Sequence, residues 1–167
     1  MSDRNSPGAD GLLLLRLDKE HKHDNAINNE LLIAVAASLA NRVGGDTGYS
    51  GEAQDHANWF LGAGLLSENN TFHDGFSPSD CSPEGTVFSY NQGVILGALV
   101  ELNKITGDSS WLDSAAKIAH GAINTMVDSN GIFTETGSYP TNDPTADMFK
   151  GVFARNLVYL QEAQPDD

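Results

Sequence analysis

Positive charge is scarce in this sequence. Nine Lys and Arg residues stand against 23 Asp and Glu residues, which gives a net charge of −14. Binding to nucleic-acid phosphates requires a basic face, so this balance argues against a nucleic-acid partner. The same balance argues against an anionic membrane surface. An acidic surface remains compatible with an uncharged partner such as a sugar.

Cysteine is also scarce. The single residue, Cys81, cannot form an intrachain disulfide, and a structural zinc site needs more sulfur and nitrogen ligands. Two interpretations stay open: a lone thiol in a loop, or a thiol whose partner lies on a part of the protein outside this sequence. His21 and His23 are predicted to be exposed to solvent in a polar tail. We therefore predict no metal site and no cofactor.

Long apolar runs are missing. The longest covers residues 12–15, far short of the about 20 residues that a membrane-spanning helix needs. Asp3 precedes this run, Arg16 follows it, and no small-residue cleavage site comes after, so it does not resemble a signal peptide. By itself, the sequence predicts a cytosolic chain without a membrane span.

Apolar residues recur at spacings of three and four, which predicts helices. Residues 1–24 lack this pattern and are predicted to be a disordered or aberrant tail, with one domain over residues 25–163 and a short tail over 164–167. Stretches rich in Ser, Pro, Asp, Asn and Gly predict long loops over residues 67–86 and 128–147. Residues 87–89 and 132–134 are predicted to be short strands or extended loop. Helices are predicted over residues 26–43 and 48–61, from about residue 90, from residue 108 or 109, and over about 148–163.

The chain contains an internal repeat. An offset of 62 residues places Asn29 over Asn91, and positions 28–60 then show seven identities without a gap. The segment Phe-Lys-Gly-Val-Phe, residues 149–153, resembles the start of a third copy. The repeating unit is a helix, a turn, a second helix and a long loop, and such pairs stack beside one another in a solenoid or a closed ring. Gly93 and Gly97 are predicted to permit close helix packing.

Amide side chains cluster where the first helix of each repeat begins. In a stacked ring, these helix starts lie on one rim. Amides offer both a hydrogen-bond donor and an acceptor, as sugar hydroxyls require, and an aromatic ring suits the apolar face of a pyranose. The other interpretation, equally weighted from the residues alone, is that the amides cap or brace the helices. The rim candidates are Asn25, Asn29, Tyr90, Asn91, Gln92 and Lys150.

Several blocks resemble glycoside hydrolase family 76, which includes endo-acting α-1,6-mannanases and related fungal cell-wall proteins. They are "NAINNELLIAVAASLANR", "FSYNQGVILGALVELNKITGD" and "FKGVFARNL". The resemblance covers residues 24–162. It implies an all-α fold built of helix pairs, here about half of an (α/α)6 toroid. It also implies a groove at one rim for α-1,6-linked mannan, and Glu135 as a further residue that touches the substrate. Members of the family are expected outside the cell or in the cell wall.

The family's catalytic acids are an adjacent Asp-Asp pair in the N-terminal half of the domain, and glycoside hydrolysis ordinarily needs two carboxylates. The one Asp-Asp pair here is Asp166-Asp167, which does not match that position. We therefore predict no catalytic residue in this chain, and no activity by the chain alone. The leading interpretation is a truncated mannan endo-1,6-α-mannosidase that binds α-mannan or manno-oligosaccharides. The alternatives are a non-catalytic glycan-binding module, a helical-repeat scaffold that self-associates through exposed helix faces, and a piece of a longer protein.

Overall fold

The computed structural model describes residues 24–44, 48–136 and 143–164. Three two-residue strands pair antiparallel in the order β1-β2-β3. They are β1 (Asp24–Asn25), β2 (Gly75–Phe76) and β3 (Pro83–Glu84). The rest of the regular structure in these ranges is helical, which confirms the predicted all-α class. The helices are α1 (Ala26–Arg42), α2 (Tyr49–Gly62), α3 (Ser89–Thr106), α4 (Ser110–Met126) and α5 (Pro144–Ala163).

The predicted helices are confirmed with one shift in a boundary. Helix α5 begins at Pro144, four residues before the predicted start, so the predicted loop over 128–147 was too long. The Asp143 side chain caps this helix by accepting hydrogen bonds from the backbone N–H groups of Thr145 and Ala146, at 2.8 and 3.2 Å. Proline is favoured in the first turn, where its missing N–H costs nothing.

The predicted short strands differ more from the structure. Ser89 already belongs to α3, so residues 87–89 do not form a strand. Phe133 pairs with Val127 only in an isolated bridge. The predicted loop over 67–86 instead contains β2 and β3. Strands this short carry too few side chains to give a period-two pattern that sequence reasoning could detect.

The predicted repeat is confirmed by the helix positions. Shifted by 62 residues, α1 overlaps α3 and α2 overlaps α4. The loops that follow the second helix of each pair also correspond, because the Leu66–Phe72 bridge is matched by the Val127–Phe133 bridge. A helix pair and its following loop are therefore the unit from which this chain is built.

Helices α1, α3 and α5 lie side by side and parallel. At their N-terminal ends, Asp74 joins α1 to α3, and Tyr90 of α3 contacts Phe149 of α5 at a ring-centroid distance of 4.3 Å. At their C-terminal ends, Glu101 of α3 joins Arg42 of α1 to Tyr159 of α5. Helix α2 packs on α1 and helix α4 packs on α3. The three parallel helices thus form an inner layer, with α2 and α4 outside it.

Helix α3 is the centre of the core. Its contacts with α5 are close because two of its positions lack a side chain: a Cβ on Gly93 would lie 2.6 Å from Phe153 Cα, and a Cβ on Gly97 would clash with the Asn156 side chain. The predicted packing role of both glycines is confirmed. The buried residues of α3 are Ser89, Asn91, Gln92, Gly93, Ile95, Leu96, Gly97, Ala98, Leu99, Val100, Glu101 and Leu102.

A polar network fastens the C-terminal ends of the inner layer. Arg42 donates to both oxygens of Glu101, at 2.9 and 3.1 Å, and Asn41 donates to Glu101 Oε2 at 2.8 Å. The Tyr159 hydroxyl donates to Glu101 Oε1. Burial by itself would raise the pKa of Glu101, but the hydrogen bonds from Arg42, Tyr159 and Asn41 lower it to about 2. Glu101 is therefore an ionised carboxylate that three helices share.

We predict that Glu101 makes the fold sensitive to acid. Its pKa falls from a usual 4.5 to about 2 on folding, so its contribution is complete above the unfolded value and is lost as pH falls from about 4.5 to about 2. Glu101→Gln is expected to lower the free energy of unfolding at neutral pH by about 1–2 kcal/mol and to flatten its decline in that window. Urea unfolding at several pH values measures both effects. Glu162→Gln, at an exposed position of α5, is the control, and an equal effect there would contradict the prediction.

Some sequence predictions lie outside the described residues. They concern the tail before residue 24, the metal-binding alternative for His21 and His23, and the Asp166-Asp167 pair. No helix in the described ranges is both long and apolar enough to cross a membrane. Within the same ranges, no three His, Cys, Asp or Glu side chains form a set that could hold a metal ion.

Apolar side chains are exposed on both edges of the inner layer. Leu31 and Val35 lie one turn apart on α1 and are 47% and 55% exposed, while Met148 and Val158 on α5 are each 59% exposed. Exposed apolar faces promote association. Self-association through these side chains stays a prediction.

Candidate functional site

Asp74 joins the N-terminal ends of two inner helices. Its backbone oxygen accepts a hydrogen bond from the Ala26 N–H at 2.6 Å, at the start of α1. Its side-chain Oδ1 accepts from the Tyr90 hydroxyl at 3.0 Å and from Asn91 Nδ2 at 3.1 Å, both in the first turn of α3. Among the described residues none donates to Oδ2. We call Asp74 and the first turns of α1, α3 and α5 the rim site.

The loop between α2 and α3 fixes the position of Asp74. Strand β2, which follows Asp74 directly, pairs with β1 in the register Asp24↔Phe76 and Asn25↔Gly75. Gly85, after β3, has φ +91°, and a Cβ there would lie 2.8 Å from Asp74 Cβ. Only glycine fits this backbone conformation and this close approach without strain. A short sheet and one glycine therefore hold the carboxylate at the rim.

Gln92 braces the same loop from below. Its Oε1 accepts from the Phe72 N–H at 2.8 Å, and its Nε2 donates to the carbonyl oxygens of Phe72 and Phe88, each at 3.0 Å. Phe72 is fully buried and stacks on Phe60 at a centroid distance of 4.8 Å. Gln92 is itself fully buried. The structure places it as a brace, and its contact with a ligand stays a prediction.

Three aromatic rings form a group beside Asp74. Phe88 and Tyr90 stack at a centroid distance of 5.4 Å, and Phe149 of α5 contacts both, at 5.6 and 4.3 Å. All three residues are half-buried. We call them the aromatic group. Because the Tyr90 hydroxyl reaches Asp74, the apolar rings and the carboxylate belong to one continuous surface.

Glu135 lies at the start of α3. Its carboxylate accepts hydrogen bonds from the Ser89 backbone N–H, at 3.0 Å, and from the Ser89 hydroxyl. The neighbouring Thr136 hydroxyl donates to the Val87 carbonyl at 2.7 Å. These bonds tie the loop after α4 to the rim site. A negative charge there also suits the positive end of the α3 dipole. Direct contact of Glu135 with substrate stays a prediction.

The remaining predicted residues lie on either side of this centre. Asn29 is buried, with Nδ2 donating to the Asn25 carbonyl at 3.2 Å and Oδ1 3.0 Å from His56 Nε2. Burial lowers the pKa of His56, although the charge of Glu52 opposes this, so its ring is neutral near pH 7. Lys150 on α5 is half-buried and pairs with Asp147 at 2.9 Å. The structure thus brings Tyr90 and Asn91 together on Asp74, and leaves Asn29 and Lys150 with partners of their own.

Glu30 is an unusual neighbour of the rim site. Its side chain is fully buried, and neither carboxylate oxygen has a hydrogen-bond partner. Burial, and to a smaller extent the charge of Asp74, raises the pKa of Glu30 well above its usual range. The buried Oδ1 of Asn91 also lacks a partner. The site therefore holds acceptor oxygens without enough donors to satisfy them.

This arrangement can bind an uncharged polyhydroxylated ring. The aromatic group offers an apolar face, and Asp74 Oδ2 offers an acceptor for a hydroxyl. Among the described residues, the other carboxylates at the rim are committed: Glu135 is occupied by Ser89, and Glu30 is closed off from solvent. One accessible carboxylate suits binding better than hydrolysis, which needs two.

Asp74, Phe88 and Phe149 were not predicted as site residues from the sequence. A signal for Asp74 does exist. An offset of 61 residues places Phe72-His73-Asp74 over Phe133-Thr134-Glu135, so each loop carries an aromatic residue and then an acid two positions later. Both acids reach the start of α3. The single-residue change from the offset of the helices hides this correspondence.

Comparison with known proteins defines the family. The model of glycosyl hydrolase family 76 matches residues 9–166. The chain belongs to this family. The match begins before residue 24 and ends after residue 162, so the predicted limits of the resemblance were too narrow. The prediction that residues 1–24 do not resemble the family was wrong for residues 9–24.

Fungal relatives are similar over most of this chain. A protein of Schizosaccharomyces pombe is 32% identical over 151 residues, which are 87% of this chain and 34% of that protein. The mannan endo-1,6-alpha-mannosidase DFG5 of Candida albicans is 27% identical over 154 residues, with the same shares. The mannan endo-1,6-alpha-mannosidase DCW1 of Saccharomyces cerevisiae is 29% identical over 153 residues, or 87% of this chain and 33% of that protein. The chain therefore spans about a third of the length of these relatives.

Solved structures agree on the fold. A Listeria innocua protein is 29% identical, with a TM-score of 0.73 over 86% of this chain and 40% of that chain. Dfg5 from Chaetomium thermophilum, solved in complex with glucosamine, is 21% identical, with a TM-score of 0.73 over 89% and 37%. The predicted architecture is confirmed: these helix pairs correspond to part of an (α/α) toroid.

Proposed function

We propose that this chain supplies a sugar-binding part of a family 76 glycosidase of the mannan endo-1,6-α-mannosidase type, and that the rim site binds α-1,6-linked mannan. The observation that carries the proposal is the aromatic group adjoining Asp74 and Asn91 at the shared end of the inner helices. The family membership and the names of the fungal relatives support the choice of mannan.

The chemistry of a mannoside fits this surface. One face of a pyranose ring carries mainly C–H groups and packs on aromatic rings, while its hydroxyls both donate and accept hydrogen bonds. The aromatic group would take the ring face, and Asp74 Oδ2 would accept from a hydroxyl. No positive charge is needed, which agrees with the net charge of −14. Asn91 would act by holding Asp74 in place.

Hydrolysis by this chain alone is not expected. A glycosidase ordinarily places one carboxyl group to protonate the leaving oxygen and a second to act as nucleophile or base. Asp74 is the one carboxylate at the described rim with an oxygen open to a ligand. The chain spans about a third of the relatives' length, so we assign the catalytic acids to the remaining part of such a protein. The chain by itself corresponds to the non-catalytic glycan-binding alternative.

Truncation of Phe149 tests the proposal. Phe149→Ala removes the ring that contacts both other members of the aromatic group, and we expect the Kd for α-1,6-mannotriose to rise about tenfold or more. Met148→Ala is the matched control, because Met148 is the preceding residue of α5 and is 59% exposed. NMR titration of both variants and the wild type gives the Kd values.

The outcomes separate the alternatives. A loss of binding in Phe149→Ala, with Met148→Ala unchanged, supports the aromatic group as the sugar-binding surface. Equal Kd values in all three proteins would contradict this placement. Oligomers that grow with concentration, together with no saturable binding of mannotriose, would favour the helical-repeat scaffold.

A further inference from the structure

Glu30 lies directly below Asp74. The Ala26 N–H donates to the Asp74 carbonyl, and Glu30 follows Ala26 by four residues in α1, so the two lie on the same face of the helix one turn apart. The Glu30 carboxyl also feels the charge of Asp74. Asn91, on the other side, donates its Nδ2 to Asp74 Oδ1. Glu30, Asp74 and Asn91 therefore converge at the junction of α1 and α3.

The hydrogen-bond inventory at this junction lacks a donor. Both oxygens of Glu30 and Oδ1 of Asn91 are buried without a partner. An ionised carboxylate at zero exposure and without a donor is strongly destabilised, and a second carboxylate nearby destabilises it further. One proton on Glu30 removes the charge and supplies an O–H donor. The neutral acid is therefore the form of Glu30 that this environment favours.

The internal repeat leads to the same conclusion. The 62-residue offset places Glu30 over Gln92, and Gln92 uses one acceptor and one donor group at once to brace its loop. A carboxylate has only acceptors, whereas a protonated carboxyl group has a donor and an acceptor, as an amide does. Glu30 can match the chemistry of its counterpart only when it is protonated.

We propose that Glu30 is a positioning residue for the rim site: a neutral carboxylic acid that donates its O–H toward Asn91 Oδ1 or Asp74 and so keeps Asp74 in place for the ligand. Ionisation of Glu30 would place two negative charges side by side and displace Asp74. Sugar binding is then coupled to proton binding, strong at low pH and weaker as pH rises past the ionisation of Glu30. This inference rests on the proposed function, because the ligand of the rim site is taken to be a mannoside.

The other groups that titrate around Glu30 do not mask this effect. From α3, Tyr90 reaches Asp74 through its hydroxyl and is neutral near pH 7. From α2, His56 contacts Asn29, the residue next to Glu30, and burial lowers the pKa of His56 while the charge of Glu52 opposes this. A neutral His56 supplies no charge that could stabilise an ionised Glu30. The remaining group, Asp74, carries a like charge.

The test compares the wild type with Glu30→Gln, whose amide is neutral at every pH and closest in shape to the protonated acid. The Kd for α-1,6-mannotriose is measured by calorimetry at about pH 5 and about pH 8. We expect the wild-type Kd to rise about tenfold or more between them, and the variant Kd to stay within about twofold. The same pH dependence in both proteins would overturn the proposal.

A second measurement needs no sugar. The side-chain amide signals of Asn91 report on Asp74, because Asn91 Nδ2 donates to Asp74 Oδ1. The proposal predicts that these signals move with pH in the wild type and stay fixed in Glu30→Gln. If they do so and mannotriose binds neither protein, the sugar assignment fails and the role of Glu30 stands. If they move identically in both proteins, Glu30 does not position Asp74.

Discussion

Phe72→Ala is expected to lower the free energy of unfolding by about 3–5 kcal/mol, the usual loss for a fully buried phenylalanine. Phe72 lies in the long connection between α2 and α3, yet its side chain has no exposed surface and stacks on Phe60. Gln92 holds its backbone on both sides, so the loop cannot collapse to fill the cavity. A domain of this size has only about 5–15 kcal/mol of stability, and the variant is expected to be close to unfolding.

Urea unfolding followed by circular dichroism measures this loss. Phe149→Ala is the matched control, because it removes the same atoms from a half-buried position, and its loss should be less than half as large. Similar losses in both variants would contradict the prediction. They would mean that the connection before α3 contributes no more to the core than the surface of the rim does.

Gly93→Ala is expected to lower the free energy of unfolding by about 1–3 kcal/mol. The added methyl group would lie 2.6 Å from Phe153 Cα and 2.9 Å from Phe153 N. Because these are backbone atoms of α5, the clash can be relieved only by moving that helix. The expected loss outweighs the ~1 kcal/mol that alanine ordinarily gains over glycine within a helix. Movement of α5 would also displace Phe149, so sugar binding should weaken in this variant too.

Gly151→Ala isolates the packing effect from helix propensity. Gly151 lies within α5, is exposed, and nothing is within 4 Å of the position that its Cβ would take. We expect this variant to be as stable as the wild type, or more stable by up to about 1 kcal/mol. Thermal unfolding of the two variants measures the difference, and a Gly93→Ala protein as stable as Gly151→Ala would refute the close approach of α3 and α5.

The helices could be predicted because their information is local. Apolar spacing marks α1 to α4, and the 62-residue repeat predicts how they pair. The start of α5 was predicted too late, since Asp143-Pro144 is an N-cap signal that stands before the first apolar residue of the helix. The packing of Gly93 against α5 was also predictable, because a glycine within a helix needs a reason of this kind.

The centre of the rim site could not be predicted in the same way. Asp74 is one of 23 acidic residues, and its position depends on a three-stranded sheet of two-residue strands that leaves almost no pattern in the sequence. The aromatic group joins Phe88 and Tyr90 to a residue of α5, which is a tertiary contact. Glu30 has the pattern of an ordinary polar residue of a helix, and only its complete burial shows that it is unusual.

The most direct test is an NMR titration of the wild-type chain with α-1,6-mannotriose, following the protein amides and the anomeric signals of the sugar together. We predict a dispersed spectrum, saturable shifts centred on Asp74, Tyr90 and Asn91, and no new reducing-end signals. Absence of shifts at saturating sugar would contradict the rim site. New reducing-end signals, in a chain free of contaminating glycosidase, would contradict the claim that this chain binds mannan without cleaving it.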